Sequence, residues 1–200
     1  MDTLVWVMIG FLSGSLPFSL LLGRLFARAD VRDYGDGNPG ATNAWRAGGW
    51  PVGTAALLLD CAKGAVPVGL AHLAFGISGW RLVPVALAPV LGHAFSPFLR
   101  LRGGKAVAVT FGIWIGLTLG EGPIILGIFV GLFFLVQTAD AWAVILSMII
   151  LMAHLVLRQA SPALIAVWSG NMLILLWTHR TSLRKPPHPR AWVGRLIKRD

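Results

Sequence analysis

Charge is what this 200-residue sequence has least of. Only 12% of its residues are charged, 56% are hydrophobic, and the mean hydropathy is +0.74. Soluble domains carry roughly a quarter charged residues, so the composition excludes an ordinary soluble domain and points to an integral membrane protein. Cysteine occurs once, at Cys61, which excludes an internal disulfide and leaves a small buried filler as its simplest role. The start, Met1-Asp2-Thr3, lacks the positive segment of a secretory signal, so the first apolar run is expected to stay as a membrane helix. No G-x-S-x-G elbow occurs, and no His is followed five residues later by Asp. The histidines lack metal-ligand spacing. No metal, cofactor or nucleic-acid partner is expected.

What is present is apolar sequence in long runs, read against the roughly 20 residues that span a bilayer. Residues 3–23 carry no charge. Residues 47–80 carry only Asp60 and Lys63, which at a spacing of three share a helix face and neutralise each other. Residues 82–99 make a third span, expected to break near Pro97, which biases Ser96 away from helix. As one helix, residues 106–139 would run about 51 Å, well past the ~30 Å core, so two short spans turning at 119–123 are expected. Residues 141–157 and 159–178 complete seven. Glycines at four-residue spacing (10 and 14; 112, 116 and 120; 127 and 131) predict close helix packing. Trp6, Trp50, Trp80, Trp142 and Trp177 fall near span ends as interfacial anchors. His72 and His154 read as structural or interfacial.

The expected fold class is therefore all-α, a polytopic membrane protein of seven transmembrane helices. The domain plan is one membrane domain, 1–178, and a basic tail, 179–200. With the N-terminus outside, 14 Lys and Arg fall on the cytoplasmic side and only Arg81 and Arg158 outside, as the positive-inside rule requires. The location is then the cell membrane, with the C-terminus in the cytoplasm. The proline-rich tail is expected on the anionic membrane lipid surface as an electrostatic anchor, with Trp192, Val193, Leu196 and Ile197 on one helix face.

Three polar stretches face the cytoplasm: YGDGNPGATNAWR (34–46), GHAFSPFLRLRGGK (92–105) and WTHR (177–180). GDGNPG fits the G-x-G-x-x-G string, but a membrane helix precedes it where a dinucleotide fold needs a strand. GGK suggests a phosphate loop, but Ala106 stands where Ser or Thr is needed and Leu99 where the first glycine is needed. The underlying physics remains. Glycines let backbone N–H groups converge on an anion, and a following helix N-terminus adds positive potential. Asn38, Thr42 and Asn43 offer neutral hydrogen bonds, Arg46 and Lys105 full charges, and His93 lies just inside the membrane near the span break. Two anionic groups, or one large one, are the expected ligands.

Taken together these stretches resemble the PlsY family, the integral-membrane glycerol-3-phosphate acyltransferases that use acyl phosphate. The resemblance rests on S-G-S-L-P-F (13–18), G-x-G-N-x-G-A-T-N followed by Arg46, L-D-x-x-K-G (59–64), G-H-x-F-S-P-F-L (92–99), G-G-K-x-V-A (103–108) and His179-Arg180, in that order along nearly the whole chain. It implies transfer of a fatty acyl group from acyl phosphate to the 1-hydroxyl of glycerol 3-phosphate, giving lysophosphatidate and phosphate for phospholipid synthesis. It implies an acyl-phosphate-forming partner enzyme and no cofactor. It implies catalytic roles for His93, Lys105, Arg46 and His179. Substrate binding would fall to Gly35, Asp36, Gly37, Asn38, Gly40, Thr42, Asn43, Ser96, Gly103, Gly104 and Arg180. The acyl chain would lie in a groove between spans. The family pattern has Ser at Asp36 and Asn at Ser182. Asp36 would need a cation, with Arg46 or Arg32 the expected partner. The alternatives are a same-fold acyltransferase with another phosphorylated acceptor, and a non-catalytic anion-binding or transport protein.

Overall fold

A computed structural model describes residues 2–197. Among them the chain is helical throughout, with one isolated bridge between Gln137 and Pro189. The helices are α1 (Thr3–Ser15), α2 (Phe18–Phe26), α3 (Ala41–Gly69), α4 (Leu82–Ala94), α5 (Val107–Thr118), α6 (Glu121–Val136), α7 (Asp140–Leu157), α8 (Pro162–His179) and α9 (Ala191–Ile197). Among the described residues, five helical runs are long and apolar enough to cross a membrane: Thr3–Phe26, Ala41–Ala74, Gly79–Leu99, Asp140–Leu157 and Pro162–His179. The turn expected near 119–123 is present, with Leu119 and Gly120 both at positive φ. The helices on either side, α5 and α6, have 12 and 16 residues. At 1.5 Å per residue they reach only about 18 and 24 Å, short of a full ~30 Å core.

Proline shapes the first two spans. Pro17 breaks the first run into α1 and α2, and the Leu16 carbonyl at the break, which takes the Phe18 N–H, also accepts from Lys63 Nζ at 2.9 Å. Pro67 removes the N–H that would bond the Lys63 carbonyl, and Ser13 Oγ donates to that carbonyl instead, at 3.0 Å. At both breaks a polar group of one span thus reaches a carbonyl of the other. In lipid no water would do it.

Glycine rows account for the tightest packing. A Cβ at Gly14 would fall on the backbone of Pro89 in α4, and one at Gly112 on the Cys61 carbonyl of α3. The third row differs from expectation: Gly131 has nothing nearby and Gly127 only the edge of Phe111. Trp6 also departs from its expected interfacial place. It is buried, with its ring centroid 5.1 Å from that of Phe75. Trp50, Trp80 and Trp177 are exposed as anchors should be. His72 bonds the Ile77 carbonyl, and His154 meets Glu121 at 2.9 Å, joining α7 to α6.

The tail does not simply lie free. A helix leaves its last carbonyls without intrahelical partners. Those of α6 are taken by the tail: Arg190 Nε donates to Phe134 O, Trp192 Nε1 to Leu135 O, and the Arg190 N–H to Val136 O. The side chains of Leu196 and Ile197, expected on one face with Trp192 and Val193, lie outside the described residues.

Candidate active site

The three polar stretches converge at one end of the bundle, around two adjoining cavities. The first is a groove of about 450 Å³ between α3, α5, α6 and α7. Its lining has a polar set, Asp36, Asn38, Thr42, Asn43, Arg46, Lys105, His93 and His179, and an apolar set, Leu57, Val107, Phe111, Val130, Phe134 and Val144. The second is an open cavity of about 1040 Å³ whose lining includes Arg24, Arg32, Arg100, Arg102 and Arg180, with Asp36 and Lys105 on the border between the two.

The 35–43 stretch is only partly a loop. Helix α3 begins at Ala41, so Thr42, Asn43 and Arg46 are helical residues of its first turns. Gly35 and Gly37 take positive φ, 58° and 73°. At Gly35 a side chain would also collide with the Arg46 guanidinium, which lies against the loop and donates to Asn43 Oδ1 at 3.0 Å. Most N–H groups of the loop are used internally: Gly37 donates to Tyr34 O, Gly40 to Asn38 O and Asn38 to Asp36 Oδ1. Among the described residues, the N–H groups of Ala41 and Thr42 at the α3 start stay uncommitted, and both residues line the groove. Among the described residues the N–H groups of Gly35 and Asp36 also have no partner, so the anion-binding donors are the start of the loop, the helix N-terminus and Arg46.

The 103–105 stretch works differently again. Gly103 donates its N–H to Ala94 O and Gly104 to His93 O, both at 3.1 Å. A Cβ at Gly103 would fall on the His93 carbonyl, and one at Gly104 on the His93 ring. These glycines let the loop close on the end of α4. Their N–H groups are spent on α4 rather than offered to a ligand, which differs from the substrate-binding role expected of Gly103 and Gly104. The closure sets Lys105 at the groove mouth, and Thr178 Oγ1 holds the Lys105 carbonyl at 3.1 Å.

Asp36 pairs with Lys105, at 2.6 Å, not with Arg46 or Arg32. Arg32 is taken by Asp30, which also holds Arg24. Burial alone would raise the Asp36 pKa. The Lys105 ammonium, the Asn38 N–H and the Asn43 amide outweigh it, and the carboxyl sits below the ordinary range. Ser182 Oγ lies 3.5 Å from Lys105 Nζ, linking the turn after α8 to the Asp36–Lys105 pair.

Six predicted residues do not line the groove: the loop glycines Gly35, Gly37, Gly103 and Gly104, and Ser96 and Arg180. Ser96 is buried, and its hydroxyl donates to the Ser15 carbonyl at 2.6 Å. Arg180 stacks over the Trp177 ring, 4.5 Å from its centroid, and lines the open cavity. His179 is buried at the groove, its Nδ1 2.9 Å from Leu175 O. Sequence reasoning missed Thr178 and Asp140, and it took Asp60 only as half of an ion pair. Asp60 and Asp140 both line the groove. A position one residue before a motif histidine was the only signal for Thr178.

An apolar slot headed by a helix N-terminus, two cations and two imidazoles suits an amphiphile with an anionic head. The adjoining arginine-lined cavity suits a small soluble anion. Comparison with known proteins agrees. Residues 4–186 match the family described as glycerol-3-phosphate acyltransferase. The chain is 36% identical to glycerol-3-phosphate acyltransferase 1 of Thermotoga maritima, over 90% of this chain and 95% of that one. It is 36% identical to the glycerol-3-phosphate acyltransferase of Thermus thermophilus, over 92% of each. Its fold matches the crystal structure of PlsY (YgiH), an integral membrane glycerol 3-phosphate acyltransferase, in its glycerol 3-phosphate form. The TM-score is 0.85 at 27% identity, covering 98% of this chain and 99% of that one. The lysophosphatidic acid form of that protein matches with a TM-score of 0.78 at 28% identity, over 96% of this chain and 93% of that one. A family match over nearly the whole length, carried on a membrane-helix frame with this groove, places the chain in the glycerol-3-phosphate acyltransferase family.

Proposed function

We propose that the groove binds acyl phosphate, chain inward and phosphate at the α3 N-terminus, and that glycerol 3-phosphate enters from the arginine-lined cavity. The enzyme is an acyltransferase of phospholipid synthesis, integral to the membrane. In the reading favoured here the 1-hydroxyl of glycerol 3-phosphate attacks the acyl carbon, the acyl–phosphate bond breaks, and lysophosphatidate and phosphate leave. The observation that carries this is the groove itself, which joins Arg46, Lys105, His93, His179 and two free N–H groups to an apolar slot.

An acyl phosphate is already activated. Positioning and stabilisation of developing charge are the main tasks left to the protein. Arg46 and Lys105 face the phosphates, and a donor phosphate oxygen takes the hydroxyl proton. Orientation follows from charge: the basic end, with the site, faces the cytoplasm and the N-terminus lies outside. The short α5–α6 hairpin then completes seven crossings of the cell membrane within a 1–178 domain, and 179–200 is the tail. An acyl-phosphate-forming enzyme supplies the donor. A second reading, a different phosphorylated acceptor, draws on the Asp36 carboxylate at the border where the acceptor would sit.

The test is synthesis in detergent from palmitoyl phosphate and labelled glycerol 3-phosphate, with Asp36→Ser alongside. Labelled lysophosphatidate from the unmodified chain is expected. Product from Asp36→Ser alone would favour the second reading. Absence of product from both folded proteins would overturn the assignment, and accumulation of unmodified substrate in proteoliposomes would favour transport.

A further inference from the structure

The Asp60–Lys63 pair sits inside the membrane with both side chains only 3% exposed. One carboxylate oxygen, Oδ2, accepts from Ser19 Oγ at 3.0 Å. Lys63 Nζ lies 2.8 Å from the other, Oδ1, but off the line of a hydrogen bond, and it donates to Leu16 O. Oδ1 is therefore a buried oxygen that contacts the ammonium but accepts no well-directed hydrogen bond among the described residues. A paired charge that keeps an unused lone pair is more than neutral filling.

That carboxylate and His93 line the same two spaces. One is the groove. The other is a buried chamber of about 10 Å³, shared with Ser15, Lys63, Ser96 and Gly104. A single water needs about 10–15 Å³ on this measure and two to four polar partners. Ser96 has spent its hydrogen on Ser15 O and retains acceptor capacity. Gly104, on the chamber wall, abuts His93 Nε2.

We infer that Asp60 is a positioning residue for His93, acting through one water held between the Asp60 carboxylate and the imidazole; this rests on the reading of His93 as a site residue. The water donates to Oδ1 and bonds one ring nitrogen. That fixes one tautomer and turns the other nitrogen toward the substrate phosphates. The broken first span supplies the frame, because Leu16 and Ser19 hold Lys63 and Asp60 from either side of Pro17.

The test is a mutant cycle in the same lysophosphatidate assay, using His93→Gln, Asp60→Asn/Lys63→Met and their combination. The double change removes both charges, so neither is left buried alone. Asp60→Asn/Lys63→Met is expected to lose about tenfold in kcat with KM for both substrates within about twofold, the scale of an outer partner of a reactive side chain. Added to His93→Gln, it is expected to cost nothing more. Losses that multiply would overturn the inference, since Asp60 would then act independently of His93. An inactive His93→Gln beside a fully active Asp60→Asn/Lys63→Met would sink the inference and leave the site standing. A fully active His93→Gln would remove His93 from the site and the inference with it. Nitrogen-15 spectra of the histidine rings in the unmodified protein give a readout that needs no folded variant of Asp60. One fixed neutral tautomer for His93 is expected, and rapid averaging of two would refute it.

Discussion

Two glycine-rich loops meet at the site, and they look alike in composition but not in use. In the 35–40 loop the glycines serve conformation, with Gly35 and Gly37 at positive φ and Gly35 also making room for Arg46. In the 103–104 loop neither glycine has positive φ. Both serve proximity, letting backbone lie against the His93 carbonyl and ring. Of the loop glycines, among the described residues only Gly35 keeps its N–H uncommitted. The difference shows that a glycine-rich string near a basic residue can mark close packing as readily as anion binding.

Substitution separates the two uses. Gly103→Ala should have the largest effect. Its methyl group meets main chain rather than a movable side chain tip, so little or no folded protein is expected by size exclusion in detergent. Next come the cations that the loops present. Lys105→Met and Arg46→Met should each reduce kcat by about 10²–10³-fold, the range for loss of one charge-stabilising donor, with only a small change in melting temperature. Equal activity in either variant would remove that residue from the proposed chemistry.

The glycines of the first loop should then split. Gly35→Ala is expected to lose about 1–2 kcal/mol from its left-handed φ and also to lower kcat by displacing Arg46, whereas Gly37→Ala should carry only the stability loss. Parallel thermal melts and rate assays check this, and equal kcat losses at the two positions would erase the distinction. The smallest effect belongs to the tether between the loops. The Asp36–Lys105 pair is half exposed on the Asp36 side, so its contribution should stay well below 1 kcal/mol. Because the folded carboxyl lies below its ordinary value, that contribution is present above about pH 4 and lost as pH falls through the folded value. Melting temperatures of the unmodified protein and Asp36→Asn should therefore converge on acidification. A gap that widens would contradict the pairing.

Much of the frame was legible because lipid imposes simple rules. The helical class, the break before Pro97 and the hairpin at 119–120 follow from apolar run length and from what proline and glycine do to a helix. The gathering of Arg46, His93, Lys105 and His179 was legible too, since three polar stretches on one side of a membrane have few places to go.

Other features depend on contacts distant in sequence, which no local pattern encodes. Lys105 lies 69 residues from Asp36, so charge alone left Arg32 and Arg46 as equally good partners. Arg32 and Arg46 instead take near neighbours, Asp30 and Asn43, and the distant Lys105 takes Asp36. The Ser96 hydroxyl was claimed by a carbonyl 81 residues away. The C-terminal tail found its place because α6 ends with carbonyls that need donors, and Arg190 and Trp192 arrive there. The sequence by itself determined which segments leave water and which polar residues must stay near it, because burial and backbone hydrogen bonding act along the chain. Only the tertiary structure decided which partner each polar group takes, because that choice rests on distances of a few ångström between segments far apart in the chain.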